Sequence, residues 1–175
     1  MYEQPREGEP AAGSYDEIIF CYPGLLAVTV YRIAHQLHLQ KIPLMPRIIS
    51  EYIHGLGSTF IPELISGKAF ILAIGGVVIG ETVNIGNHVR IYDGVTLGAL
   101  SLSKAAVERL RGKKRHPTIE DGVIIYAGAT ILGGETVVGA GSIIGGNVWL
   151  TESVRSETRV FIKKPELILK DDSRS

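Results

Sequence analysis

Aliphatic residues recur at intervals of six along much of the chain, beginning near residue 61. One set of these positions, here named the first series, contains Ile61, Gly67, Ala73, Ile79, Ile85, Ile91 and Leu97. A second series lies four residues further on and is aliphatic throughout, at Ile65, Ile71, Val77, Val83, Val89 and Val95. A six-residue unit with two apolar positions suits a short strand followed by a tight turn.

The period continues after a gap. It resumes at Ile119, Ile125 and Ile131, slips by one residue, and goes on at Val138, Ile144 and Leu150, with second-series members at Val123, Ala129, Ser142, Val148 and Val154. Three units close one triangular coil, and stacked coils pair every strand with its neighbours. The pattern therefore predicts a mainly β protein, a parallel β-helix of hexapeptide repeats. A sandwich of short strands would instead show strict alternation and more widely spaced turn signals.

The residues before the repeats have helical spacing. Aliphatic residues recur at this spacing from Pro23 to Leu39, and a break at Ile42-Pro43 precedes a second helical stretch at about residues 45–55. We therefore divide the chain into an N-terminal tail and helical region (1–57), a β-helix (58–163) and a C-terminal tail (164–175).

Residues 99–117 have no six-residue period and are predicted to leave the prism as a loop insertion. This is the most basic part of the chain, with Arg109, Arg111, Lys113, Lys114 and Arg115. A solvated loop is one interpretation of these charges. Contact with a phosphate group is the other, because binding sites collect on loops held by rigid scaffolds.

Composition excludes several classes of function. The 18 Lys and Arg balance 18 Asp and Glu, so the charge gives no support to a nucleic-acid or acidic-membrane partner. The single Cys21 cannot form an internal disulfide or supply a cysteine-based zinc site, and we expect no metal. The polar, acidic start lacks the pattern of an export signal, so a cytoplasmic protein is expected.

Six motifs, taken in order, resemble one family. They are Tyr22-Pro-Gly-Leu-Leu-Ala-Val, Tyr31-Arg-Ile-Ala-His35, Gly76-Val-Val-Ile-Gly-Glu-Thr82, Tyr92-Asp-Gly-Val-Thr-Leu-Gly98, Lys114-Arg-His-Pro-Thr118 and Ala127-Gly-Ala-Thr-Ile-Leu-Gly133. Together with the helical stretch they resemble the serine O-acetyltransferases over about residues 20–168. The resemblance implies a left-handed parallel β-helix that forms a homotrimer, with helices that in the family join two trimers. It also implies acetyl-CoA as co-substrate, bound between neighbouring prisms.

The resemblance further implies acetyl transfer to the hydroxyl of L-serine, the first step of cysteine synthesis from serine. A hydroxyl is a weak nucleophile at neutral pH, so the reaction needs a base and donors for the oxyanion. Arg115 and His116 match an Arg-His pair that holds the serine carboxylate and amine region, and Glu81 matches a glutamate near the substrate. Small residues expected against the pantetheine arm of CoA are Gly98, Ala99, Ala127, Gly128, Ala140, Gly141 and Gly145.

The chain departs from the family at residues 58–74. Counting back from Ile79 places Leu72 and Ala73 where the family has the catalytic aspartate and its histidine base. Loss of a general base typically lowers a rate by about 10²–10⁴. One account is a degenerate homologue that keeps the fold without the chemistry.

A shift of reading frame is the other account, and it is our hypothesis. The family-like peptide Ile-His-Pro-Gly-Ala-Asp-Ile-Gly can be encoded so that deleting one base yields residues 60–67 letter for letter. Such a shift explains why the substitutions cluster in one short window between family-like flanks. The same shift does not continue cleanly through residues 69–74.

Two other functions stay open at this stage. One is a hexapeptide acetyltransferase with a sugar or amine acceptor, and the other is a non-catalytic trimeric scaffold that binds CoA. Family members that dock cysteine synthase use a C-terminal isoleucine, whereas this sequence finishes Asp171-Asp-Ser-Arg-Ser175. We therefore expect no cysteine synthase partner.

Overall fold

The structure is a computed structural model that describes residues 15–21, 23–54, 65–66, 70–71, 76–100 and 113–163. The helices in these ranges are α1 (Tyr15–Cys21), α2 (Pro23–Leu39) and α3 (Met45–His54). The predictions of α2 and α3 are confirmed, whereas α1 was not predicted. None of the described helices combines the length and apolar character that crossing a membrane requires.

Short parallel strands make up the rest of the described chain. They are β1 (Ile65–Ser66), β2 (Phe70–Ile71), β3 (Val78–Ile79), β4 (Asn84–Ile85), β5 (Arg90–Ile91), β6 (Thr96–Gly98), β7 (Thr118–Ile119), β8 (Ile124–Ile125), β9 (Thr130–Leu132), β10 (Val137–Val138), β11 (Ile143–Ile144), β12 (Trp149–Leu150) and β13 (Arg159–Val160). Sheet I has the order β1-β4-β7-β10, sheet II β13-β11-β8-β5-β2 and sheet III β12-β9-β6-β3. The chain visits the three sheets in turn, which is the arrangement of a parallel β-helix.

The interior of the prism is filled by the two predicted series. From Val77 to Leu97 every first-series and second-series residue is buried, and most are completely inaccessible. Burial of each such side chain contributes about 1.5–3 kcal/mol. Ala27 and Tyr31 of α2 belong to the same core cluster, so α2 packs against the prism, and burial raises the pKa of Tyr31 to about 12.

Strand pairing departs from the count of six near both ends of the prism. Steps of six place Gly67 and Ala73 beside Ile85 and Ile91, but the residues paired there are Ser66 and Ile71. The first-series prediction is therefore wrong at residues 67 and 73, because the chain has extra residues before β3. The second-series prediction is wrong at Ile65 and Ile71, which pair with Asn84 and with the first-series residue Ile91.

The second departure lies near the other end of the prism. Val154 pairs with Val138, a first-series residue, since only four positions separate Val154 from Leu150. Its assignment to the second series is also wrong.

The insertion leaves and rejoins the prism at the corner between sheets III and I. Residues 101–112 lie outside the described residues, yet strand pairing continues across them: Asn84 pairs with Thr118, Arg90 with Ile124 and Thr96 with Thr130. Residues 80–82 of one coil therefore lie beside residues 114–117 of the next.

Candidate functional site

A cluster of polar side chains occupies the corner between sheets III and I. Strand β3 ends at Ile79 and places Glu81 and Thr82 on the turn that follows. The returning insertion places Arg115 and His116 just before β7. The structure thus brings together the three residues that the sequence predicted for the serine site, Glu81, Arg115 and His116.

The contacts between these two segments centre on Thr82. Its hydroxyl oxygen Oγ1 accepts the backbone N–H groups of Arg115 at 2.9 Å and His116 at 3.2 Å. Its own backbone N–H donates to Nδ1 of the His116 ring at 3.1 Å, and Oγ1 lies 2.8 Å from the same nitrogen. Sequence reasoning missed Thr82 as a site residue, although the Gly-Glu-Thr motif contains it.

These contacts define the state of the His116 ring. Nδ1 accepts the Thr82 N–H, so the ring proton of the neutral imidazole lies on Nε2. His116 is only 7% exposed, and this burial, reinforced by the Arg115 charge, lowers the pKa of His116 to about 4 despite the opposing effect of Glu81. At neutral pH His116 is therefore an uncharged ring that can donate a hydrogen bond through Nε2.

Glycines allow the end of the insertion to pack closely against the turns after β3 and β9. A Cβ atom on Gly80 would overlap the His116 ring, with Cγ at 2.6 Å, and a Cβ on Gly134 would lie 2.7 Å from the Lys114 carbonyl oxygen. Both contacts are too short for a real side chain. One sequence motif contained Gly80 but did not assign it to the site, and Gly134 lies outside the six motifs.

Arg115 and Glu81 form an ion pair through Nη2 and Oε2, and both side chains are partly exposed. Exposed pairs of this kind contribute little to stability. Their value here is positional, because the pair fixes the guanidinium beside the His116 ring.

Lys114 also turns back onto this corner. Its ammonium nitrogen Nζ donates to the backbone carbonyls of Thr82 at 3.0 Å, His116 at 2.9 Å and Pro117 at 3.4 Å. Burial lowers the pKa of Lys114, and the Glu135 carboxylate opposes that change.

The small residues predicted to contact CoA are spread over all three corners of the prism. Gly98 and Ala99 lie on the His116 corner, whereas the corners between sheets I and II and between sheets II and III carry the others, Ala140, Gly141, Ala127, Gly128 and Gly145. A single prism therefore does not bring them together.

Packing within the chain accounts for the glycines on those two corners. A Cβ on Gly145 would lie 2.6 Å from the Phe161 ring, and one on Gly141 would overlap the Glu157 side chain. Gly128 has a φ of 71° and faces Asn147. Their role in CoA binding stays a prediction.

The predicted positions of the family's acid and base, Leu72 and Ala73, lie outside the described residues. Within the described ranges, no group of three or more His, Cys, Asp or Glu residues is arranged to hold a metal ion.

Comparison with known proteins places the chain in a family, although no protein-family model matches it. It is 53% identical over 150 residues to the plasmid serine acetyltransferase of Synechococcus elongatus, covering 84% of this chain and 47% of that protein. It is also 37% identical to the serine acetyltransferase of Helicobacter pylori, covering 73% of this chain and 71% of that protein. The chain belongs to the serine acetyltransferase family.

A solved structure of the serine acetyltransferase family agrees with this membership. Serine acetyltransferase isoform 3 of Entamoeba histolytica in complex with cysteine superposes with a TM-score of 0.81 at 39% identity, over 95% of this chain and 57% of that chain. The chain spans about half the length of the first serine acetyltransferases that it matches.

Proposed function

We propose that this chain carries the activity for which its family is named, the transfer of acetyl from acetyl-CoA to the hydroxyl of L-serine in cysteine biosynthesis. The observation that carries the proposal is the corner where Glu81, Thr82, Arg115 and His116 meet. Family membership supports the same reaction.

The geometry of the corner suits binding of an amino acid. Arg115 supplies a guanidinium for the serine carboxylate, since its planar fork matches carboxylate geometry. His116 supplies a neutral N–H donor at Nε2, and Glu81 supplies a carboxylate that can face the substrate amine. These groups bind and orient L-serine.

The same geometry makes His116 unsuited to removing the serine proton. Its Nδ1 lone pair is taken by Thr82, its Nε2 carries the ring proton, and its pKa of about 4 makes it a weak base. The base must come from another segment. Under the frame-shift hypothesis the natural protein has aspartate and histidine at positions 72 and 73, which here are Leu72 and Ala73.

The finer features of the family complete the proposal. We expect a left-handed coil, a homotrimer with acetyl-CoA in the groove between neighbouring prisms, and a cytoplasmic protein without a metal. The exposed apolar side chains of Val78 and Trp149 on sheet III support an assembly of prisms, because exposed apolar faces are typical of interfaces.

Peptide mass mapping of residues 55–80 from the purified protein is the first test. Masses that require Asp and His at positions 72 and 73 would show that the written sequence is in error. Masses that match Leu72-Ala73 would make this a chain that has lost its base.

In that case Leu72→Asp with Ala73→His, together with restoration of the segment before them, should raise serine-dependent release of CoA thiol by orders of magnitude. Adding His116→Gln to the repaired protein should raise the KM for serine. No gain on repair, with CoA still bound, would contradict the proposal and favour the scaffold. Turnover with a sugar or amine but not serine would favour another acetyltransferase.

A further inference from the structure

Lys114 is the one described cation of the insertion whose charged end is directed at the backbone. Its ammonium has three N–H donors, and three carbonyl oxygens lie within reach, those of Thr82, His116 and Pro117. The donors of this group are therefore fully used within the chain.

The three carbonyls belong to both sides of the corner. Thr82 follows β3, whereas His116 and Pro117 lie at the end of the insertion. A single ammonium thus bridges the two segments whose separation determines the place of the His116 ring. Such charge-assisted hydrogen bonds are stronger than those between neutral groups.

This geometry argues against a phosphate role for Lys114. An ammonium that binds phosphate must offer donors to the ligand, and those of Lys114 are directed at carbonyls. Lys113 is exposed like Lys114, but it makes no hydrogen bond or ion pair with another described residue.

We propose that Lys114 is a positioning residue for the serine site, docking the end of the insertion onto the turn after β3 so that His116 and Arg115 face the amino acid. Lys114 does not touch the substrate. The expected effect of Lys114 on serine binding rests on the proposed function. Its expected effect on the His116 ring does not.

The decisive comparison is Lys114→Met against Lys113→Met. The methionine at 114 keeps an unbranched side chain but removes the donors, so the two segments lose their bridge. We expect the affinity for L-serine to fall at least about tenfold, with the affinity for CoA unchanged. Calorimetric titration with L-serine and with CoA separately measures both. Lys113→Met should leave serine affinity unchanged.

The state of the ring gives a readout that is independent of substrate. In the unaltered protein ¹⁵N NMR should show His116 protonated at Nε2 with Nδ1 as acceptor. In Lys114→Met the His116 ring should exchange between both tautomers, so that its two ¹⁵N shifts move towards each other. In Lys113→Met the two shifts should stay as in the unaltered protein. If the unaltered protein fails to bind serine, the proposed function is wrong, and the ring signature still decides the role of Lys114.

Chemical rescue separates a lost charge from general damage. Lys114→Cys in a Cys21→Ser background has a single thiol, and 2-bromoethylamine converts it to a lysine analogue. If this conversion restores both the ¹⁵N signature of the His116 ring and the affinity for serine, the result supports a positioning role for Lys114. Lower CoA affinity with unchanged serine affinity would overturn it and assign Lys114 to a phosphate. An unchanged ring signature in Lys114→Met would overturn it as well.

Discussion

Thr82 contacts the neighbouring coil through every polar atom it has. Its N–H donates to the His116 ring, its hydroxyl oxygen accepts two backbone N–H groups, and its carbonyl accepts the Lys114 ammonium. Hydrogen bonds linked in this way polarise one another, so loss of a central member costs more than loss of a peripheral one. The residue that orders this corner is therefore a threonine rather than one of the charged side chains.

Thr82→Val tests that role, because it keeps the shape and the backbone contacts but removes the hydroxyl. Two backbone N–H groups then lose their acceptor and Nδ1 loses a partner, at a cost of about 1–3 kcal/mol. Serine affinity should fall about tenfold or more, measured by calorimetry. Thr82→Ser, which restores the oxygen, should bind nearly as well as the natural residue. Equal affinities for the two variants would contradict this account.

Stability should depend on pH through His116. Its pKa is about 4 in the folded chain and about 6.5 when unfolded, so the unfolded chain binds a proton first as the pH falls. The contribution of the neutral His116 ring to the free energy of unfolding is fully present above pH 6.5. It is lost as the pH falls from about 6.5 to 4, and the free energy of unfolding decreases by up to about 3 kcal/mol.

Urea unfolding at pH 7 and pH 4.5 measures this loss. In His116→Gln the change between the two pH values should be smaller by about 2–3 kcal/mol. An identical change in both proteins would show that His116 keeps its ordinary pKa in the folded chain.

At the scale of the elements, the repeat was readable from the sequence and its register was not. The buried series predicted parallel strands because a period of six with two apolar positions has few other solutions. The tetrapeptide Gly-Glu-Thr-Val occurs twice, at residues 80–83 and 134–137. The first copy places Thr82 on the site, whereas the second places Thr136 in the interior, where its hydroxyl donates to the carbonyl of Leu132.

The difference between the copies comes from one extra residue in the turn after β9. Because Val138 pairs with Ile119, the extra residue lies within the turn, and the side chain of Thr136 is directed into the interior. Such one-residue adjustments are decided by hydrogen bonding between coils, which periodicity along one chain does not record. For the same reason sequence reasoning found Glu81, Arg115 and His116 but not the contacts through which Thr82 and Lys114 hold them.

The corner between sheets I and II contains residues with left-handed backbone, which allows a test of backbone strain. The third residue after strands β4, β7 and β10 of sheet I has a positive φ, at His88 (56°), Gly122 (69°) and Gly141 (68°), and Glu157 (56°) repeats this after the Val154 bridge. Left-handed backbone costs a residue with a Cβ about 1–2 kcal/mol. Urea unfolding should therefore give His88→Gly a free energy of unfolding about 1 kcal/mol higher than that of His88→Ala. At Ser156, where φ is not positive, alanine should be the more stable of the two.

At the scale of the molecule, the faces of the prism differ in their outward side chains. Sheet II exposes Arg90 and Arg159, whereas the outward residues of sheets I and III are uncharged. Sheet III also exposes large apolar side chains, with Val78 41% exposed and Trp149 70% exposed. Exposed apolar faces of this kind are typical of interfaces. Sheet III is therefore the face that we expect neighbouring prisms to cover in the proposed homotrimer.

Trp149→Glu tests that expectation, because it puts a charge in the centre of an apolar contact. Light scattering should give three times the 18.9 kDa chain mass for the natural protein, or six times that mass where the helices join two trimers. The variant should have at most one third of the mass of the natural protein. Arg90→Glu, on sheet II, should remain trimeric. A trimeric Trp149→Glu would place the interface on another face.

Strand pairing across the insertion has a consequence for how this lineage can vary. Strands β4, β5 and β6 are bound to β7, β8 and β9 by their own hydrogen bonds, whatever length of chain joins them. Doubling the length of such a connection costs only about 0.6 kcal/mol. Evolution can thus lengthen, shorten or rewrite the segment between the two anchored ends, and so alter what reaches the corner, without rebuilding the scaffold beneath it.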